Sequence, residues 1–296
     1  MCPFLRSANI AAAALALSAA LLASGPQATR AQASVLEVDS RPALGLMGTI
    51  PLYWGEADGL DEILGGGAEP HWARAQLEER YRLQPLPALT KEQLAPLKLL
   101  LLAQPRALSP AENVALDGWV RSGGQLLLFA DPLLTGESRF SLGDRRRPQE
   151  VILLSPILRR WGLELEFVED QPAGLALREI AGRAVPVNLP GRFAASVQGV
   201  CALEAAGLLA DCVVGEGRVL VLADAALLDL HHPAPEAAPA LEMLVERALT
   251  TGDFAGRADE PRLGSGQSVD SQGGGRSRSL ASTGFEKLAA SVHNPP

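Results

Sequence analysis

Three apolar runs in this 296-residue chain end in a polar residue directly after an alanine. Residues 97–103 lead into Gln104, 125–130 into Asp131, and 218–223 into Asp224. In open α/β sheets, ligands bind in the crevice outside the carboxyl ends of the strands. Placed there, Asp131 and Asp224 could serve as general acid and base, as metal ligands, or as acceptors for sugar hydroxyls. An aspartate at a strand end also caps a turn or the following helix. The residue types alone leave both readings open.

A second cluster is basic. Arg139, Arg145, Arg146 and Arg147 crowd the polar loop 135–149, where they could hold a carboxylate or phosphate. The plainer reading is a solvated loop. No aromatics interleave these arginines, and nucleic acid is not an expected partner. His231-His232 stand before Pro233. Neighbouring side chains on extended backbone point to opposite sides, so both cannot readily bind one metal. An exposed loop is expected there, and His71, at a helix start, is given the same status.

Other chemistries find no motif. There is no G-x-S-x-G, no Walker A loop, and no G-x-G-x-x-G following a strand. Gly264-Ser265-Gly266 falls in a polar tail that cannot preorganise an oxyanion hole. Three cysteines and four histidines are too few for a standard zinc module. With 7 Phe, 4 Trp and 2 Tyr, stacking platforms for bases or sugars are not expected. A net charge of -8 argues against binding a phosphate backbone. Neither metal nor cofactor is expected.

The elements that must position these residues follow from hydropathy pattern. The strand-like runs are continuous rather than alternating, as in a parallel sheet buried on both faces. Residues 43–54 read as a first strand running into a loop. Helical spacing places Trp72, Ala75, Leu77 and Tyr81 on one face of a helix over 71–81. A short strand is expected over 81–86. Thr90 reads as an N-cap, with Gln93 completing a capping box. Ser109, Pro110 and Glu112 form a stronger start signal for a helix whose inner face would be Val114, Leu116, Trp119 and Val120. Gly123-Gly124 ends it, and the strand 125–130 follows: a β-α-β unit with a right-handed crossover. A helix is expected over 151–161 and an alternating strand over 163–168. Turn-rich short strands over 172–214 read as a β-rich insertion. The third apolar strand and a last helix over 239–249 complete an α/β fold with helices on both faces of a mainly parallel open sheet.

The ends differ in character. Arg6 precedes an apolar run over 10–23, a break at Gly25-Pro26 and the small-x-small site Ala31-Gln32-Ala33: a secretory signal peptide over 1–33. A retained anchor is the alternative, although the run falls short of the ~20 apolar residues a spanning helix needs. Removing Arg6 and Arg30 from 26 basic residues leaves 24 against 34 acidic ones, net -10. The mature product should be acidic, periplasmic or secreted, with a domain over 34–255. Residues 256–296, rich in Gly, Ser, Gln and Arg, read as a disordered tail. In an exported chain two cysteines tend to pair. A two-residue turn at Ala206-Gly207 would set Cys201 opposite Cys212 on antiparallel strands, at a spacing compatible with a disulfide. A pair of small buried thiols is the alternative.

The combined pattern has a precedent. It comprises Leu-Ser-Pro-Ala-Glu (108–112), Trp-Val-Arg-Ser-Gly-Gly-Gln-Leu-Leu-Leu-Phe-Ala-Asp-Pro (119–132), Pro-Ile-Leu-Arg-Arg-Trp-Gly-Leu-Glu-Leu (156–165) and the closing strand Gly-Glu-Gly-Arg-Val-Leu-Val-Leu-Ala-Asp (215–224). Over roughly 43–250 this resembles the Gld-type auxiliary components of ABC transporters and related domains of the class I glutamine amidotransferase-like fold. The resemblance implies that fold and a partner in a membrane transport complex or another envelope protein. Catalytic amidotransferases carry a cysteine on the turn after a central strand. Here that turn holds Asp131-Pro132, and no cysteine occurs between Cys2 and Cys201. The expected function is a non-catalytic accessory or binding domain. The rival is a hydrolase using Asp131 and Asp224.

Overall fold

The computed structural model describes residues 39–65, 69–196, 201–229 and 231–249. The leader and the tail read from composition lie outside them. The chain runs β1 (Ala43–Gly48), α1 (Leu60–Gly65), α2 (Trp72–Glu78), β2 (Arg82–Pro85), α3 (Lys91–Leu94), β3 (Leu99–Ala103), α4 (Pro110–Arg121) and β4 (Gln125–Phe129). Then follow α5 (Ser155–Arg160), β5 (Leu163–Phe167), β6 (Ala176–Ile180), β7 (Arg183–Val187), β8 (Gly191–Ala195), β9 (Cys201–Glu204), β10 (Leu209–Val214), β11 (Gly217–Leu222) and α6 (Ala237–Leu249).

Seven strands form the main sheet in the order β2-β1-β3-β4-β11-β10-β9. The first five are mutually parallel, and β10 and β9 are antiparallel additions at one edge. All five residues of β3 are buried, which requires cover on both faces. α2 and α6 pack together, with α6 on β4 and β11; α4, with α3 and α5, forms a second group that reaches β11. The fold is therefore the mixed α/β arrangement with a mostly parallel sheet that the apolar runs imply.

Helix α4 shows how local sequence sets an element. Ser109 Oγ accepts from the Glu112 N–H at 3.2 Å, and Glu112 Oε2 accepts from the Ser109 N–H at 2.9 Å, completing the capping box. Glu112 is also paired with Arg106, which together with the Ser109 and Leu89 N–H donors holds its carboxyl well below the usual range. Ser109→Ala should cost about 1 kcal/mol, read as a shifted urea midpoint with an unchanged slope. Leu116, Trp119 and Val120 face inward, but Val114 is 75% exposed. Two residues from Leu116 is about 200° around a helix, so Val114 cannot share that face.

Three further expectations are corrected. Thr90 does cap α3, accepting from the Gln93 N–H at 3.3 Å, but Gln93 Oε1 is buried without a partner, so the box is only half made. α5 begins at Ser155 rather than 151, because proline is tolerated only in the first helical turn and Pro156 fixes where that turn lies. The β-rich region divides: β6 and β7 form a hairpin, β5 and β8 pair around it as a separate two-stranded antiparallel sheet, and β9 and β10 join the main sheet.

Cys201 and Cys212 stand opposite each other in the β9–β10 register. Their sulfurs are bonded at 2.03 Å across a sequence separation of 11. The bond fastens a four-residue edge strand to the fully buried Cys212. Cys212→Ser, or reduction, should lower unfolding stability by about 2–3 kcal/mol for so short a loop, measured by urea unfolding with and without reductant.

Candidate functional site

Gln104, Asp131 and Asp224 converge at the carboxyl ends of β3, β4 and β11, and none is more than 1% exposed. Gln104 bonds the backbone of Asp131 twice. Its Oε1 accepts from the Asp131 N–H at 2.8 Å, and its Nε2 donates to the Asp131 carbonyl at 2.9 Å. The same Nε2 donates to the Gln149 carbonyl at 3.0 Å. Thr49, after β1, donates its hydroxyl to the Gln104 carbonyl at 2.5 Å and accepts from the Gln149 N–H at 2.9 Å.

The two carboxylates are spent on main chain. Asp131 Oδ1 accepts from the Leu133 N–H at 2.8 Å and Oδ2 from the Ala225 N–H at 3.1 Å. Asp224 Oδ1 accepts from the Ala226 N–H at 2.7 Å and Oδ2 from the Asn188 N–H at 3.0 Å. Burial pushes the Asp131 carboxyl up to about 6, against the pull of its two N–H donors. Burial, reinforced by the nearby Asp131 charge, raises Asp224 well above the usual range. Each acid therefore ties down loops from neighbouring strands, with one N–H on every oxygen. A general acid or base needs to reach its substrate's proton, and neither carboxylate is exposed to do so.

The crevice beside them is small. A cavity of about 30 Å³, lined by Ile50, Glu56, Leu134, Ala225 and Asp229 among others, has room for only one or two waters. Glu56 Oε2 accepts from the Arg139 N–H at 2.7 Å and lies 3.3 Å from His231 Nε2. The arginine loop is held across this crevice by its own charges. Arg139 pairs with Glu62, Arg146 with Asp144 and Asp58, and Arg147 with Glu150. Arg145 is exposed. Three of the four candidate anion-binding arginines thus already have carboxylate partners.

His71 departs from the exposed status given to it. It is 1% exposed and caps α2, with Nδ1 accepting from the Ala73 N–H at 3.1 Å. Nε2 must then carry the proton it donates to the Leu228 carbonyl at 2.9 Å. Burial lowers its pKa to about 4. His231 and His232 are exposed. Among the described residues, no group of three or more His, Cys, Asp or Glu side chains is placed to hold a metal ion. A larger, apolar groove of about 1160 Å³ lies elsewhere, between α3 and α4, lined by Leu89, Leu94, Val114 and Trp119 among others. It accounts for the exposed Val114 and contains none of the strand-end residues.

With this geometry in hand, comparison with known proteins gives one family. Residues 48–170 match the family described as an ABC-type uncharacterized transport system. The matched segment runs from the last residue of β1 through β5 and contains Gln104, Asp131 and the arginine loop. It coincides with most of the motifs on which the resemblance to ABC transporter auxiliary components rests. A search of curated proteins finds no match. Among solved structures, the chain is similar to an exo-β-1,4-mannosidase from Opitutaceae bacterium strain TAV5, at 15% identity and a TM-score of 0.39, covering 73% of this chain and 37% of that one. It is also similar to a β-galactosidase from Bacillus circulans sp. alkalophilus, at 12% identity and a TM-score of 0.39, covering 70% and 31%. A cytoplasmic protein from Salmonella typhimurium is matched at 11% identity and a TM-score of 0.38, covering 69% and 97%. The chain spans about a third of the length of the two glycosidases. Among the described residues, no helix is long and apolar enough to cross a membrane.

Proposed function

We propose that the chain is an exported, non-catalytic accessory component of an ABC-type transport system. The observation that carries the reading is the state of the strand-end acids: both are buried, and every carboxylate oxygen accepts a backbone N–H. The residues best placed for hydrolysis are used to rigidify the loops they join. The family match over 48–170 supports a place beside a transporter, and the composition of residues 1–33 supports export. The amidotransferase-like fold belongs to the same proposal, without its chemistry. Neither Cys201 nor Cys212 sits on a strand-to-helix turn, and Pro132 removes an N–H where an oxyanion donor would be wanted.

The test is cross-linking of the full-length chain in intact cells, followed by identification of the captured proteins. The expected result is capture of an ATP-binding cassette subunit or its membrane-spanning partner, lost when the cassette operon is deleted. Turnover of glycoside, ester or glutamine substrates that disappears in Asp131→Asn or Asp224→Asn would overturn the non-catalytic reading.

A further inference from the structure

A second basin lies away from the strand ends, where the end of α4, the end of α5 and the β10–β11 turn meet. It encloses about 320 Å³ and is lined by Arg121, Arg159, Arg160, Trp161, Gly162 and Gly215 among others. Beneath it is Asp117, 4% exposed. Arg121 donates its Nε to both Asp117 oxygens at 3.0 Å, and Arg160 donates its Nε to Oδ2 at 2.6 Å. Trp161 Nε1 adds a third donor at 3.1 Å. One buried carboxylate therefore holds two guanidinium groups by their inner nitrogens. Among the described residues, the Nη groups of Arg121 and Arg160 have no partner.

The basin wall carries three arginines and no carboxylate. Asp117 offsets one arginine of the pair. Among the described residues Arg159 pairs only with Glu164, at 3.1 Å, with both side chains more than half exposed, and such a pair is weak. Glu216, next to Gly215, is exposed. The guanidinium groups face the concavity while their carboxylates lie beneath or outside it, on a chain whose net charge is -8. Anchoring through Nε removes much of the ordering cost a free arginine would incur on binding, and leaves planar forks that match oxyanions.

We infer that this basin is an oxyanion site, built for a phosphate group. A carboxylate has two oxygens and can satisfy one fork. A phosphate or phosphomonoester offers three or four oxygens and can meet two forks together, and 320 Å³ leaves room for a small substituent. The site shares no residue with the strand-end network and does not depend on the transport reading.

The test uses the full chain and inorganic phosphate, titrated by calorimetry at constant ionic strength with chloride as the replaced anion. Saturable binding is expected. Arg160→Gln and Arg159→Gln should each weaken it about tenfold, the loss of one charge-assisted contact. Arg145→Gln, in the unrelated loop, should leave it unchanged. Melting curves without phosphate establish that each variant folds. A second arm offers vesicles of phosphatidylglycerol or phosphatidylcholine. Sedimentation with the anionic vesicles alone, lost in Arg160→Gln, identifies a lipid headgroup as the source; phosphate binding without sedimentation identifies a soluble phosphate. Equal phosphate affinity in the wild type and both basin variants, or no saturable binding in either arm, overturns the assignment.

Discussion

Gly217→Ala should cost roughly 4 kcal/mol, at the severe end of single substitutions. A Cβ at this position, the first residue of β11, would stand 2.0 Å from the Val120 carbonyl oxygen and 2.4 Å from that of Gly124. Both obstacles are backbone, one at the end of α4 and one entering β4. Neither can retreat cheaply, because the Arg218 N–H donates to the Gly124 carbonyl at 3.1 Å and the Glu216 N–H to the Arg121 carbonyl at 3.0 Å. The matched control is Gly118→Ala in the same helix, where a Cβ meets nothing within 4 Å. There the change should stabilise by about 0.5–1 kcal/mol through helix propensity. Urea unfolding of the two variants should move the midpoint in opposite directions. A shared direction would show that the helix end and β11 do not approach as described.

The second large effect is a pH dependence. Unfolded Asp131 ionises near 3.8, and the folded group near 6. The folded state holds that proton longer, so this contribution to stability is greatest below pH 3.8 and is lost as pH rises towards 6. A gap of about 2 pH units corresponds to about 3 kcal/mol. Asp224 is raised too and acts in the same direction. His71 acts in the opposite sense. Its pKa falls from 6.5 to about 4 on burial, so its contribution is present above pH 6.5 and is lost as pH falls to 4. The His71 trend opposes that of the two carboxyls between pH 4 and 6 in the wild type. Asp131→Asn removes the Asp131 share of the carboxyl trend and relieves Asp224. Its stability at pH 6.5 minus that at pH 4 should exceed the wild-type difference by about 3 kcal/mol, even though the lost N–H acceptor lowers stability throughout. A profile parallel to the wild type would refute the burial argument.

Much of the sheet is legible along the chain because the signals are local. The runs of leucine and valine before Gln104, Asp131 and Asp224 are β3, β4 and β11, and Ser109-Pro110 with Glu112 marks the start of α4. The double glycine at 123–124 and the Gly-Glu-Gly at 215–217 mark a close approach of helix and sheet. What escapes sequence reasoning is pairing between distant segments. Nothing near Asn188 announces that its N–H meets Asp224, and nothing near His71 announces the Leu228 carbonyl 157 positions away. The three strand-end residues could be picked out, but not their role, because a carboxylate bonded to backbone and one aimed at a substrate have the same local sequence. The Arg121–Asp117–Arg160 cluster was hidden for the same reason. Arg160 lies 43 positions from the acid it meets, and only the folded chain brings α4 and α5 together.

The two borders of the main sheet bear on how this chain avoids polymerising. An uncovered strand is a template on which another chain can hydrogen-bond and grow. At one border β2 has four residues, begins with the exposed Arg82 and ends at Pro85, which has no N–H to offer. At the other, β9 also has four residues, and the Cys201–Cys212 bond keeps it from peeling away. If it left, the longer β10, with the exposed Val213, would take its place as the open border. The covalent link thus bears on solubility as well as stability: reduction leaves only the β9–β10 pairing to keep that border closed.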